Sequence, residues 1–273
     1  MTEQAERYDR IAEGYGQWWA PVIAPAALGV LDTIEPAIDA GATRVLDVGT
    51  GTGTLAIAAL QRWPQVRVTA IDASRGMVDK AAGEADRLLS AEERDRLDLR
   101  VAFADDLRLE DGSVDVAMSS FVLQLVPNRF RALRDVHRVL RPGGLFGWVS
   151  WLAHDAPWPP DIDFDDALEE IDEEVREWDD RPGDLLDPAS AEAQMRRAGF
   201  ADVRATAGAL VHPFDIDGYI GFMAEFDEED LIQSLPADVR ERFLSALRRR
   251  LARRPVEELT LRLPTVTVRG TRR

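Results

Sequence analysis

From Arg44 onward the chain alternates short apolar runs with longer segments in which apolar residues recur every three to four positions. RVLDVG precedes TLAIAALQRW, VRVTAID precedes SRGMVDKAAGEADRLL, and SVDVAMSSFVLQLV precedes FRALRDVHRVL, with LDLRVAFAD and GGLFGWVSWL as further apolar runs. Continuous apolar strands alternating with amphipathic helices predict a parallel sheet covered on both faces. Ahead of this core, residues 3 to 40 read as helices: YDRIAEGYGQWW places aromatics at helical spacing, and Pro21, Pro25 and Pro36 are expected to break the run. After it come helix ASAEAQMRRAG, strand DVRATAGALVH, helices near 216 to 226 and 237 to 253, and a last strand, LTLRLPTVTVRG. The final two strands are expected to close the sheet as an antiparallel edge. No internal repeat or low-complexity linker interrupts the pattern.

The richest chemistry lies in VLDVGTGTGTLAIA, which puts Gly49, Gly51 and Gly53 between a buried strand and a helix, with Asp47 on the strand. A nucleotide-like ligand can approach the main chain there, because glycine carries no Cβ to hold it off. The dinucleotide spacing G-x-G-x-x-G is not met, since Thr54 takes the third position, so the loop favours a ligand without a pyrophosphate. Asp72 ends the second strand in VTAIDAS, where a carboxylate can accept both hydroxyl protons of a ribose. The same acid can instead serve as an ordinary helix N-cap.

Composition narrows the remaining classes. The 273 residues are 45% hydrophobic and 30% charged, with mean hydropathy -0.23, as in a globular chain with one sizeable core. No membrane span is expected, because Asp32 and Glu35 interrupt the richest apolar stretch, AALGVLDTIEPAI. The polar N-terminus carries no visible export signal, which makes the cytoplasm the default expectation. With no cysteine, and with histidine only at 137, 154 and 212, neither disulfide, thiolate nor metal chemistry is expected. A net charge of -17 argues against nucleic acid or an anionic membrane as partner. The charge is uneven: residues 155 to 187 hold 15 acids and two arginines, whereas residues 240 to 273 hold 11 arginines and three glutamates. Attraction between two parts of one surface, or solvation of a lid, would use that asymmetry.

Taken together, YDRIAEGYGQWW, LDVGTGTG, IDAS, ADDLRLEDGSVDVAMSSFVLQLV and RVLRPGG resemble the class I S-adenosylmethionine-dependent methyltransferases, in the small-molecule group similar to the ubiquinone and menaquinone biosynthesis methyltransferases. The resemblance runs from Tyr8 to about Arg269 and implies a Rossmann-like, seven-stranded, mostly parallel sheet with an antiparallel edge strand. It implies one methyltransferase domain over 1–273: an N-terminal helical cap (1–40), a cofactor-binding core (41–153), an acidic lid insertion (154–190) and a C-terminal part of the sheet (191–273). S-adenosylmethionine would be the cofactor and S-adenosylhomocysteine the product.

By the same resemblance Asp47, Gly49, Thr50, Gly51 and Gly53 would surround the methionine end of the cofactor. Asp72 and Ala73 would hold its ribose, and Met77 would pack on the adenine. The acid expected to meet the adenine amino group falls among Ala104, Asp105 and Asp106, with Asp105 favoured and Asp106 as competitor; without a short deletion Phe103 takes that place. Ser119, Ser120 and Phe121 would line the cleft beneath the methionine moiety, and Gln124 stands where the family often has histidine. Tyr8 and Tyr15, seven residues apart on one helix face, would either reach over the cofactor as part of a cap or form the seam that packs the helix onto the sheet.

Methyl transfer from a sulfonium needs alignment and exclusion of water more than a base, so no obligatory catalytic motif is expected. His154, in SWLAHDAPWPP at the carboxyl edge of the fifth strand, is the first candidate for a base, set against a solvated loop histidine. His137 reads as structural, and His212 as facing the cleft or packing inside. Trp18, Trp19, Gln124, Trp151 and Trp158 are candidates for the acceptor pocket, where Trp suits a planar or polyketide-like acceptor. Ile162, Phe164, Leu168, Ile171, Val175 and Trp178 would form one apolar face of an amphipathic lid helix. The expected activity is methylation of O, N or C of a small molecule by a monomer or homodimer, with a non-methylating reaction on the same fold as the alternative. A protein or nucleic-acid methyltransferase is disfavoured, since SSFVLQL stands where an Asn-Pro-Pro-Tyr type motif would be.

Overall fold

The computed structural model describes residues 3–171 and 184–273. Its N-terminal helices are α1 (Glu3–Gly14) and α2 (Ala20–Asp39), joined by a π-helical turn, Tyr15–Trp19. The first half of the sheet follows as β1 (Arg44–Val48), α3 (Thr54–Arg62), β2 (Arg67–Asp72), α4 (Arg75–Leu88), a single turn α5 (Ala91–Arg94), β3 (Leu97–Val101) and β4 (Val114–Ser120). The second half comprises α6 (Arg129–Val139), β5 (Leu140–Trp151), α7 (Pro159–Glu169), α8 (Pro188–Arg197) and β6 (Phe200–Pro213). It ends with α9 (Ile216–Phe222), a second π-helical turn (Met223–Asp227), α10 (Glu229–Ser234), α11 (Ala237–Leu251) and β7 (Thr260–Arg272).

The seven strands form one sheet in the order β3-β2-β1-β4-β5-β7-β6. Every pairing from β3 across to β5 is parallel, and β7 runs antiparallel to both β5 and β6. The antiparallel edge is therefore the β6–β7 pair, with β7 as the reversed strand and β6 outermost. Burial follows position: β4 is buried at every residue but its last, whereas the edge strand β3 buries only Leu97 and then alternates exposed and half-buried residues. Side chains of alternate strand residues feed two cores. Val45, Val68 and Met118 join α2, α3, α7 and α11 on one face, and Leu46, Ile71 and Ala117 join α6 and α8 on the other.

The prolines of α2 do not break it. Pro21 stands in the first turn, where a missing N–H is no loss. Pro25 and Pro36 lie within the helix, and the apolar residues that α2 buries on the sheet, Val22, Ile23, Ala27, Val30, Leu31, Ile34 and Ile38 among them, offset the lost hydrogen bonds, which cost about 3 kcal/mol apiece. Contrary to expectation, the helical stretch Glu6–Asp39 is long and apolar enough by composition to cross a membrane, 34 residues with a hydropathy of 1.3. In this fold its apolar face lies on the sheet.

The charge asymmetry is an attraction within one surface. Arg250 pairs with Asp166 at 2.9 Å, Arg249 with Glu170 at 2.8 Å, and Arg254 reaches the buried Asp163 at 2.7 Å, so α11 is tied to α7 across Phe164 and Phe243. The expected apolar face of the acidic segment holds in part: Phe164 and Leu168 are fully buried, but Ile162 is exposed, while Val175 and Trp178 lie outside the described residues.

Candidate functional site

The strand order reverses beside β1, whose neighbours are β2 and β4. That is the place where an open α/β sheet parts its connections and leaves a crevice at the carboxyl ends of its strands. A cleft of about 1150 Å³, counted out to its open mouth, occupies this position. The loops after β1, β2, β3 and β4 form its floor and sides, and Tyr8, Tyr15, Ala20, Ile23 and Ala27 of the N-terminal helices cover it.

The loop after β1 is built by hydrogen bonds among neighbours. Thr50 N–H donates to the Ile71 carbonyl at 2.8 Å, Gly51 N–H to Asp72 Oδ2 at 2.9 Å and Gly53 N–H to the Thr50 carbonyl at 2.9 Å. These amides are thus engaged within the protein. The three glycines also serve different ends. All have positive φ, but a Cβ on Gly49 would lie 2.3 Å from Val122, and one on Gly53 would press on Ile57 and Ala81. Gly51 alone faces open space, within the cleft.

Two buried carboxylates lie beside this loop. Asp47 accepts the Thr50 hydroxyl on Oδ2 at 2.7 Å, while its Oδ1 has no hydrogen-bond partner. Burial pushes the Asp47 carboxyl up to about 7, against the pull of the Thr50 hydroxyl and with help from the Asp72 charge. The Ala56 amide also lowers the Asp47 carboxyl, which is buried and is not among the residues that line the cleft. Asp72 accepts Ser74 N–H on Oδ1 at 3.0 Å and Gly51 N–H on Oδ2. Each oxygen keeps a lone pair, and the side chain lines the cleft. Burial raises the Asp72 carboxyl, and the Ser74, Gly51 and Ala73 amides oppose that rise.

Around this centre Ala73, Met77, Ala104, Asp105 and Ser120 line the cleft as expected, together with Gly49 and Thr50. Tyr8 and Tyr15 meet edge to face with centroids 5.9 Å apart and both line the cleft; burial pushes both phenols above their ordinary range. Of the alternatives after β3, both Asp105 and Phe103 reach the cleft, whereas Asp106 points to the surface and pairs with Arg108 at 3.2 Å. Ser119 is buried beneath, its hydroxyl donating to the Val48 carbonyl at 2.7 Å, and Gly53 is turned toward α4.

The acceptor-side residues are placed differently from expectation. Trp18 lies on Gly221 and donates to Glu225 at 3.2 Å; Trp19 packs on Phe222 and Trp151; Trp158 packs on Tyr219 and donates to the Glu258 carbonyl at 3.0 Å. These rings form a support behind the cleft and do not line it. Trp151 backs the cleft through Phe121, on which it stacks at 4.0 Å, and Gln124 accepts the buried Ser150 hydroxyl at 2.9 Å. His154 is exposed beyond the end of β5 and is not among the residues that line the cleft. His137 packs edge to face on Phe200, and His212 on Phe214. Thr52, Thr54, Ser74, Ile23, Leu125 and Val126 also line the cleft, with Ala102, Val122 and Pro127; most of these stand within the motifs quoted above, which assign them no contact with a ligand. Phe121 was readable only as a cleft residue; its positive φ of 54°, which turns the chain at the end of β4, was not. Among the described residues no three His, Asp or Glu side chains gather as a metal site would need.

Comparison with known proteins agrees with this geometry. The family described as a methyltransferase domain matches residues 45–144. A malonyl-[acyl-carrier protein] O-methyltransferase of Geobacter sulfurreducens is 35% identical over 116 residues, 42% of this chain and 39% of that protein. A ubiquinone/menaquinone biosynthesis C-methyltransferase, UbiE, of a Geobacter species is 36% identical over 105 residues, 38% of this chain and 43% of that protein. The chain thus spans about two fifths of the length of these curated relatives. Phosphoethanolamine N-methyltransferase 2 of Haemonchus contortus, solved with S-adenosyl-L-methionine, superposes with a TM-score of 0.55 at 15% identity, over 100% of this chain and 61% of that one, a likeness of fold. With strand order, cleft and glycine loop in agreement, residues 45–144 are a methyltransferase domain of the class I S-adenosylmethionine-dependent family.

Proposed function

We propose that this protein binds S-adenosylmethionine in the cleft and transfers its methyl group to O, N or C of a small-molecule acceptor. The observation that carries the reading is the pair of buried carboxylates at the switch point. Asp72 lines the cleft with oxygens that can accept from the hydroxyls of a ribose, and Asp47, buried beside it and outside the cleft lining, adds a second carboxyl to that side of the site. Gly51 leaves room for a ligand against the main chain between them. Met77, Phe103, Ala104 and Asp105 would hold the adenine end, and Ser120 and Phe121 the methionine end.

When bound, the sulfonium supplies an electrophilic methyl carbon with a neutral thioether as leaving group. The part of this chain is to align and to dry the site. Tyr8 and Tyr15 cover the mouth with phenols that burial keeps protonated, and Ile23, Ala27, Leu125 and Val126 present an apolar wall where the acceptor would lie. All seven strands, from residue 44 to 272, share one sheet, which supports a single domain over 1–273. The charge of -17 supports a small molecule over nucleic acid as partner.

The test is calorimetric titration of ligand-stripped protein with S-adenosylmethionine, S-adenosylhomocysteine and NAD. Saturable binding of the two sulfur nucleotides and none of NAD is expected, followed by a mass-spectrometric acceptor screen. Failure of both sulfur nucleotides would overturn the reading.

A further inference from the structure

Helix α1 carries Tyr8 over the cleft, yet few of its side chains are buried: Ala12 is the one in the core among those described. What holds it in place is a polar contact at the start of α4. Asp9 Oδ1 accepts the Ser74 hydroxyl at 2.5 Å and Gly76 N–H at 2.8 Å. Ser74 in turn caps α4 by accepting Met77 N–H at 3.0 Å, and its own N–H donates to Asp72 Oδ1 at 3.0 Å. One short chain of hydrogen bonds therefore runs from α1 to the carboxylate at the ribose position. The Glu13–Lys80 pair, 2.9 Å apart, is a second tie, but Glu13 is almost wholly exposed and such a pair adds little.

Two further observations agree. A Cβ on Gly76 would come within 3.2 Å of the Asp9 carbonyl oxygen, so α1 sits close enough to α4 that a side chain there would press it away by a few tenths of an ångström. The Ser74 hydroxyl and the Gly76 amide hold the Asp9 carboxyl below its usual range, as an anion at a helix N-terminus is held.

We propose that Asp9 is a positioning residue of the cofactor site: by accepting from Ser74 and Gly76 it fixes α1, and with it the Tyr8 ring, over the ribose end of the cleft. It touches no ligand itself. This rests on the cofactor reading above, and predicts that nucleotide affinity depends on a residue at the back of the cap. Asp9→Ala removes the tie. Gly76→Glu removes it in another way, since glutamate in the first turn favours α4 while its Cβ and charge displace Asp9.

The experiment is titration of wild type, Asp9→Ala and Gly76→Glu with S-adenosylhomocysteine, together with its dissociation rate and the thermal midpoint of each apo protein. Both variants are expected to bind about tenfold more weakly, through faster dissociation, with midpoints close to wild type. Asp9→Asn, which keeps the accepting oxygen, should recover part of the loss. Wild-type binding with unchanged affinity in both variants would overturn the role of Asp9 and leave the cofactor reading standing. Affinity that falls only in step with the midpoint would reduce Asp9 to a structural contact and overturn the proposal as well. A wild-type protein that does not bind the nucleotide overturns the cofactor reading and this inference with it.

Discussion

The two walls of the cleft are held together by different kinds of contact. On the β1–β2 side the fixing bonds join residues close in sequence: Asp47 with Thr50, Ser74 with Asp72, and Gly51 with Asp72 only 21 positions on. On the cap side they join Trp18 to Glu225, 207 positions away, Trp19 to Phe222 and Trp151, and Tyr15 to Phe226. The first wall is a set of short polar loops with two buried carboxylates. The second is aromatic packing in which two π-helical turns, Tyr15–Trp19 and Met223–Asp227, face one another. Such turns are frequent where a helix must present side chains at a functional site. On the reading proposed above the polar wall would carry the ligand's charge, while the aromatic packing behind the cleft would set the shape of the cap, so variants on the two should fail differently.

The largest effect is expected at Asp72. Asp72→Ala removes acceptors for two ribose hydroxyls and should weaken S-adenosylhomocysteine at least a hundredfold, given roughly 1.5–3 kcal/mol for each charge-assisted hydrogen bond. The fold should survive, because the Ser74 and Gly51 amides then meet water in the open cleft. Calorimetry decides it, and equal affinity in the variant would take Asp72 out of the site.

Asp47 should show itself in stability. Its folded carboxyl titrates near 7, above the ordinary 3.8, because burial disfavours the charge. Between those values the folded protein holds a proton that the unfolded chain has lost, so this group's contribution is full below about pH 4 and declines as pH rises toward 7. Asp47→Asn should therefore gain stability over wild type on going from pH 5 to pH 8, by on the order of 2 kcal/mol in urea unfolding. A difference between the two proteins that does not move with pH would assign the titration elsewhere. The same variant should bind the nucleotide more weakly, having lost the charge.

A smaller effect is expected across the aromatic wall. Gly221→Ala would place a Cβ 2.4 Å from the Trp18 ring and should cost about 1–3 kcal/mol as overpacking, read as a lower thermal midpoint. Trp18→Leu in the same chain should restore most of it. If the single variant melts like wild type, the cap does not rest on α9 as described.

This division also explains what was legible in the sequence. Asp47, Gly51 and Asp72 stand in short motifs whose spacing alone sets their geometry, and the alternation of apolar runs was enough for the sheet. After β3, Asp105 and Asp106 could not be separated by motif, because a single bridge between Phe103 and Asp106 decides which carboxylate turns outward. Trp18, Trp19 and Trp158 were assigned to the pocket by residue type, but their partners lie in α9, the turn after it, β5 and the segment before β7, and no local pattern encodes those meetings. Pro25 and Pro36 misled for the same reason, since the burial that keeps α2 intact is a tertiary property. Asp9 stands in YDRIAEGYGQWW, but its contact with Ser74 and Gly76 appears only when α1 is laid on α4.

His154 tests the boundary of both walls. As the histidine nearest the carboxyl edge of β5 it is the first candidate for a base, yet it is exposed and does not line the cleft. A general base must come within hydrogen-bond reach of the proton that it takes, directly or through one water. Nothing on either wall holds His154 at such a place, and displacement at a sulfonium methyl proceeds without a base when the acceptor arrives already nucleophilic. His154→Ala should accordingly leave turnover within about twofold of wild type and its pH profile unchanged, since an unconstrained surface residue contributes little to a dry site. Single-turnover kinetics at pH 6 and 8 provide the check. A drop of a hundredfold, in the range that general-base catalysis supplies, would bring the segment after β5 into the site and make the wall there a third, catalytic one.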